Sequence, residues 1–300
     1  MVRLPKLPPI QNATLTDTAE ILIFAPHPDD ETLACSGIIM QALTEAKRVR
    51  VVVITNGDGY QRAASQLFRK PRHLVNSSDM LELGRFRQAE SLAALTVLGL
   101  QPADVMFLGY PDGGLNQVYQ NEGEIPYAQK TTEKTETHGL CQLDYHSLTC
   151  GKPAPYRKAS ILTDVTEIIQ SVKPDQIYVT NDADTHPDHR AAFWFVRDAI
   201  KASGYQGELS TYVIHVGSPR SWPLPLGATP QKPFEPPALV EGRLLEVLLW
   251  PPPKRVPLTE KQVITKLRAL RVHQSQVLLT HLHLESFVKS EEIFWPVSSQ

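Results

Sequence analysis

Ile21-Leu22-Ile23-Phe24-Ala25-Pro26-His27-Pro28-Asp29-Asp30-Glu31 is the stretch from which the fold can be read. Its first five residues are apolar without a polar face, as a strand covered on both sides of a parallel sheet requires. The run stops at Pro26, and the next five positions hold one imidazole and three carboxylates. Thr32 to Ala46 then reads as a helix with Leu33, Ile38, Ile39, Met40 and Leu43 at its apolar positions. Strand, polar turn and helix in that order open a βαβ unit, with the turn at the carboxyl end of the strand.

The same order recurs outward from this stretch. Arg50 to Thr55 is a second strand ending in the turn Asn56-Gly57-Asp58-Gly59. Ser78 to Leu98 is a helix that starts with a Ser/Asp cap and stops at Gly99, and Asp104 to Leu108 is a third strand, broken at Gly109-Tyr110-Pro111-Asp112-Gly113-Gly114. A helix from Ser160 to Val172, a strand at Gln176 to Thr180, a helix from His189 to Ser203 and a strand at Thr211 to Val216 follow. This alternation predicts a parallel sheet with crossover helices in one domain spanning residues 1–300.

Two segments depart from the pattern. Between Leu115 and Lys158 periodicity fades around the polar run from Gln129 to His138, and a loop of this length in a compact domain reads as a lid or binding loop. Between Pro219 and Pro257 lie eleven of the 25 prolines, interrupted by the strand-like Leu244 to Trp250; proline's missing amide donor excludes a continuous helix. A helical pattern from Leu258 to about Leu279 and a short one near His281 to Lys289 complete the chain.

With 300 residues, 42% hydrophobic content, a net charge of −2 and a pI near 6.6, the chain can bury a full core and has no electrostatic case for nucleic acid or an anionic membrane. Arg69-Lys70-Pro71-Arg72-His73 reads as a solvated loop. Prolines and lysines in Met1 to Asn12 interrupt the apolar run of about 7–15 residues that a secretion signal needs, and no stretch approaches the roughly 18 residues of a membrane span. Three cysteines, Cys35, Cys141 and Cys150, are too few and too scattered for a disulfide scaffold or a zinc-binding spacing, which favours a cytoplasmic protein.

The chemistry is carried by a second dense motif, His186-Pro187-Asp188-His189, which follows the strand at Gln176 as the first follows the strand at Ile21. Polar groups just beyond the carboxyl ends of neighbouring strands share the position where open α/β sheets bind ligands. One such motif could be a helix cap. Two, each with proline between histidine and aspartate, read as a divalent metal site. A catalytic zinc takes three His, Asp or Glu ligands and keeps one position open, and His27, Asp30 and His189 supply that set. Iron or cobalt also suits two histidines and a carboxylate. Asp29 is then placed to accept a proton from water on the ion, and His186, oriented by Asp188, to donate one to a leaving amine. Glu31 reads either as a cap in the first helical turn, favoured there by the helix dipole, or as a direct participant.

These motifs resemble those of the LmbE-like, or PIG-L, family of metal-dependent N-acetylglucosaminyl deacetylases. Pro26 to Glu31 and His186 to His189 are similar to its two metal motifs, Arg87-Gln88-Ala89-Glu90 to its Arg-x-x-Glu helix, and Tyr110-Pro111-Asp112-Gly113 to its aspartate loop; His273-Gln274-Ser275-Gln276 and Glu291-Glu292-Ile293-Phe294 also look familial. The resemblance implies an α/β Rossmann-like, mostly parallel sheet with helices on both faces, Zn2+ or another divalent ion such as Fe2+ on His27, Asp30 and His189, Asp29 as general base, and His186 as general acid or electrostatic stabiliser. It implies a small N-acetylated sugar as substrate, with Arg87 and Asp112 contacting it. Deacylation of other N-acyl glycosides, such as glycolipid or antibiotic intermediates, and non-catalytic metal or carbohydrate binding are the alternative readings; the second carboxylate, Asp29, speaks against the last. His215, ending a strand, is a candidate pocket residue, whereas His73, His138, His146, His281 and His283 read as structural or solvent-facing. A homo-oligomer is left open.

Overall fold

A computed structural model of the chain describes residue 12, residues 19–237 and residues 248–297. Seven strands form one sheet: β1 (Ile21–Ala25), β2 (Val49–Thr55), β3 (Val105–Tyr110), β4 (Gln176–Thr180), β5 (Glu208–Tyr212), β6 (Lys254–Pro257) and β7 (Glu291–Val297). Their order is β3-β2-β1-β4-β5-β7-β6; the first five run parallel, and β7 and β6 close the edge antiparallel. The helices are α1 (Asp30–Thr44), α2 (Gln61–Leu67), α3 (Ser77–Leu98), α4 (Leu115–Gln120), α5 (Tyr145–Cys150), α6 (Lys158–Val172), α7 (Pro187–Ser203), α8 (Glu260–Leu270) and α9 (Gln274–Glu285). The α/β class with helices on both faces is as expected.

The all-apolar strand at Ile21 explains itself in the packing. Ile21, Ile23 and Ala25 enter the core shared with α1, α3 and α8, while Leu22 and Phe24 enter the core shared with α6 and α7. Because β1 pairs with both β2 and β4, and strand order reverses between β1 and β4, the crevice where sheets of this kind take ligands opens at their carboxyl ends. Both metal motifs leave the sheet there.

Several expected boundaries shift. The strand placed at Thr211–Val216 pairs instead at Glu208–Tyr212; Val213–Val216 is apolar because it is buried beyond the sheet, where the amides of Ile214 and His215 bond to Asp184. The continuous helix from Leu258 splits into α8 and α9 around a buried His273, whose Nε2 lies 3.3 Å from the Thr32 hydroxyl. Helix α3 is capped by Asn76 and Asp79 in a reciprocal box, so its cap lies two residues ahead of Ser78, where the helix was expected to begin. The run Leu244–Trp250 lies outside the described residues except for its last three. All three cysteines are free, and no helix among the described residues is long and apolar enough to cross a membrane.

The 115–158 segment is bonded to the turns that carry the site. Gln129 Nε2 donates to Asp58 Oδ1 (3.0 Å) and to the Asp112 carbonyl (2.9 Å), His138 Nε2 pairs with Asp58 Oδ2 (3.0 Å), and Asn56 donates to the His138 carbonyl (3.0 Å). These bonds fasten the segment to the turns after β2 and β3, so it buttresses the crevice, and His138 is a structural residue as expected.

A buried ion pair links α8 to β7 near the sheet edge. Lys266 of α8 lies 2.7 Å from Glu292 of β7, both essentially inaccessible, and Glu292 also accepts the Gly37 and Ile38 amides of α1. A Cβ on Gly37 would meet the Glu292 carboxylate at 2.8 Å, so glycine is what admits this contact. We expect Lys266→Met to strand the carboxylate and cost about 3–5 kcal/mol in urea unfolding, with Lys266→Met/Glu292→Leu recovering part of the loss. A single-variant loss under about 1 kcal/mol would contradict the pairing.

Candidate active site

The turn after β1 sets the first half of the site. Asp29 sits at φ 154°, a conformation rare for residues with a side chain, and is held there by its amide, which bonds to the His27 carbonyl (3.0 Å) and Glu31 Oε2 (3.0 Å). Glu31 thus does cap the turn, and Ser91 of α3 secures its other oxygen at 2.7 Å. Asp30 starts α1, and its Oδ2 accepts the His27 amide (3.0 Å), fixing the carboxylate beside the imidazole.

His189, in the first turn of α7, completes a triangle with these two. His27 Nδ1 lies 3.1 Å from His189 Nε2, and Asp30 Oδ2 lies 3.3 Å from each. Ligands about 2.0–2.2 Å from a tetrahedral ion stand about 3.3–3.6 Å apart, so the three atoms have the spacing of one metal's ligands. The remaining ring nitrogens are tied in the manner of metal-bound histidines: His189 Nδ1 to Asp184 Oδ2 (3.1 Å), and His27 Nε2 to Asp188 Oδ2 (3.3 Å) and Asp112 Oδ1 (3.2 Å). Both imidazoles are drawn upward despite the opposing cost of burial, His189 to about 10 by Asp184 and Asp30, and His27 by Asp112, Asp188 and Asp30. Carboxylates therefore surround a point that calls for positive charge. The residues fit a divalent ion.

Asp188 reaches His186 through its backbone amide, and its carboxylate is engaged elsewhere. Asp188 accepts the amides of Gly113 (2.6 Å) and Leu115 (3.0 Å) and faces His27, because the first turn of α7 turns its carboxylate toward the β3 loop. His186 is the N-cap of α7, its Nδ1 receiving the Asp188 amide at 3.3 Å, so the proton belongs on Nε2. Burial and the nearby rings of His27 and His189 hold His186 below the usual imidazole range. A neutral ring with an N–H donor suits stabilisation of developing negative charge better than proton donation from an imidazolium.

Asp29 faces Arg87, its Oδ1 3.3 Å from Nη2. Burial pushes the Asp29 carboxyl up to about 6 against the pull of Arg87, into the range of a working general base. Arg87 lies flat on Gly57, where a Cβ would approach the guanidinium to 2.6 Å, and donates to the Gly57 carbonyl (3.1 Å). Asp112 accepts the Gly59 amide at 2.6 Å and stands 3.9 Å from Arg87. His27, Asp29, Asp30, Arg87, Asp112, His186 and His215 all line one cleft of about 390 Å³. His189 is fully buried at its floor.

Sequence reading overlooked two members. Asp184, wholly buried and held down to about 2 by His189 and the His215 amide despite burial, gave no signal beyond an acid five positions before a ligand. His283, set aside as structural or solvent-facing, lines the cleft from α9. The Glu90 carboxylate of the Arg-x-x-Glu pattern receives both the amide and hydroxyl of Ser275, which ties α3 to the start of α9 and explains why those distant motifs occur together.

The family described as PIG-L, GlcNAc-PI de-N-acetylase, matches residues 22–200, more than half of the chain. The chain belongs to the PIG-L family. It is an amide hydrolase of the deacetylase type. A 1D-myo-inositol 2-acetamido-2-deoxy-alpha-D-glucopyranoside deacetylase of Actinosynnema mirum is 28% identical over 279 residues, covering 88% of this chain and 83% of the relative. The enzyme of that name from Tsukamurella paurometabola is also 28% identical, over 64% of this chain and 59% of its own length, so the match spans under two thirds of that relative. Among solved structures, N,N'-diacetylchitobiose deacetylase from Pyrococcus horikoshii superposes with a TM-score of 0.54 at 17% identity, covering 93% of this chain and 84% of the other. At that identity the likeness speaks for the PIG-L family fold alone. The match at residues 22–200 includes both metal motifs, Arg87 and Asp112; His215 and His283 lie beyond it.

Proposed function

We propose that the chain is a zinc-dependent deacetylase that removes the N-acetyl group from an N-acetylglucosamine-type amino sugar within a larger conjugate, acting in the cytoplasm. The observation that carries this reading is the triangle of His27, Asp30 and His189 with Asp29 beside it in one cleft. Two nitrogens and one carboxylate oxygen suit zinc. A bound divalent ion supplies Lewis acidity, polarising the acyl carbonyl and acidifying the attacking water. Asp29, its carboxylate oriented by Arg87, takes the proton that water gives up and returns it to the sugar nitrogen as the acyl carbon–nitrogen bond breaks, so that acetate and the free amine leave. His186 Nε2–H donates a hydrogen bond to the oxygen on which charge develops, and Arg87 and Asp112 orient sugar hydroxyls at the cleft wall. Asp184 and Asp188 hold the ligand histidines in their tautomers.

Amine release from a panel of N-acyl glucosamines and their conjugates tests the reading. We expect acetyl substrates to outpace longer acyl chains, and activity to vanish with a chelator and return with Zn2+. A protein hydrolysing none of the panel when fully metallated, or one indifferent to chelation, would overturn it.

A further inference from the structure

The cleft has a side lobe that the chemistry above does not use. It holds about 210 Å³ and is lined by Thr185, His186, His215, Gly217, Ser218 and His283, among others. Both ring nitrogens of His283 are buried without a hydrogen-bond partner, in a residue only 9% exposed. The carbonyls of Pro219 and Trp222 lie near this ring without hydrogen-bond geometry to either nitrogen. A neutral imidazole carries one donor and one acceptor, and leaving both unmet in a buried place is costly unless something else supplies the partners. The ring is also held firmly: it lies nearly parallel to His215, 12° between planes and 5.8 Å between centroids, with Phe287 edge-on at 5.6 Å.

His215 and His283 line both the lobe and the cleft holding Asp29 and Arg87, so one ligand can reach both. Among the described residues the lobe presents no Lys, Arg, Asp or Glu. Such a wall recognises uncharged donors and acceptors rather than a phosphate or a carboxylate. The cleft, at about 390 Å³, lies near the small end of the usual ligand-site range of about 300–1,000 Å³. The lobe extends it beyond the reacting sugar.

We propose that the His215–His283 lobe binds the neutral, hydroxyl-bearing group joined to the N-acetylated sugar, with His283 exchanging hydrogen bonds with its hydroxyls. This rests on the deacetylase reading above, and it makes the lobe the specificity-determining subsite. A second sugar ring and a cyclitol share that chemistry.

The test compares kcat/KM for free N-acetylglucosamine, N,N'-diacetylchitobiose and an N-acetylglucosaminyl inositol, in the wild type, His283→Phe, which keeps the ring packing, and His283→Gln, which keeps a donor and an acceptor. We expect the wild type to prefer a conjugate over the free sugar, and His283→Phe to cut that preference about tenfold, chiefly through KM, while His283→Gln restores part of it. The preferred conjugate tells which hydroxyl source fits. An unchanged preference ratio in His283→Phe, or equal losses on all three compounds, would overturn the subsite while leaving the deacetylase reading intact. A metallated wild type inactive on all three would overturn the parent reading and the subsite with it.

Discussion

Asp29→Asn should lose about 10²–10⁴-fold in kcat while keeping its metal, which amine release and elemental analysis of one dialysed preparation will show together. The substitution is selective for physical reasons. Asparagine has nearly the shape of aspartate and asks no new backbone geometry at φ 154°, and the Asp29 amide bonds to the His27 carbonyl and Glu31 do not involve the side chain, so the turn carrying His27 and Asp30 should survive. The amide oxygen of the substituted side chain can still accept from Arg87, at the 3.3 Å now spanned by the ion pair. What disappears is the capacity to take a proton, together with one buried negative charge. The triangle of His27, Asp30 and His189 is untouched, and binding should persist. An activity loss under tenfold would end the general-base role; parallel loss of the ion would move Asp29 into the ligand set.

That the two motifs could be matched to each other before any fold was known follows from how strongly their setting constrains sequence. A strand buried on both faces must be apolar throughout, so Ile21–Ala25 and Ile177–Val179 stand out, and polar residues that follow such strands in an open sheet share one rim. Where burial did not mean pairing, the reading slipped. Val213–Val216 is as apolar as a strand, yet its amides serve Asp184, and pairing falls on Glu208–Tyr212, whose first residue is exposed. β7 was concealed by the opposite effect: Glu291 and Glu292 look like a solvated face but are buried against Arg255 and Lys266. The break at His273 had no glycine or proline to announce it, because a tertiary contact to Thr32 makes it.

Within the site, legibility followed membership of a motif rather than distance along the chain. Arg87 and Asp112 lie in recognisable motifs, whereas Asp184, only five positions before His189, lies in none; and although Asp188 could be named, its carboxylate serves His27 rather than His186. His283 arrives from a helix whose leucine-rich context gave it the look of a core histidine.

The ligand set itself is tested by His189→Ala, for which we expect almost no metal after dialysis and activity below detection. Removing Nε2 takes away one corner of the triangle and leaves His27 Nδ1 and Asp30 Oδ2, a pair too few to hold an ion against water and buffer. The fold should tolerate the change, since the His189 carbonyl still receives the Thr180 hydroxyl at 2.8 Å and Asp184 still receives the amides of Ile214 and His215. Unfolding temperature then separates an emptied site from a collapsed one. The neighbouring donors make the outcome decisive. His27, Asp112 and Asp188 also present atoms close enough to share an ion, and that set does not include His189. Should His189→Ala keep its full metal content, the ion belongs to that second set, and Asp112 and Asp188 become ligands rather than an orienting pair. Emptying of the site assigns the ion instead to a ligand set that includes His189, with Asp184→Asn expected to weaken binding by about 10–100-fold through the ring it orients.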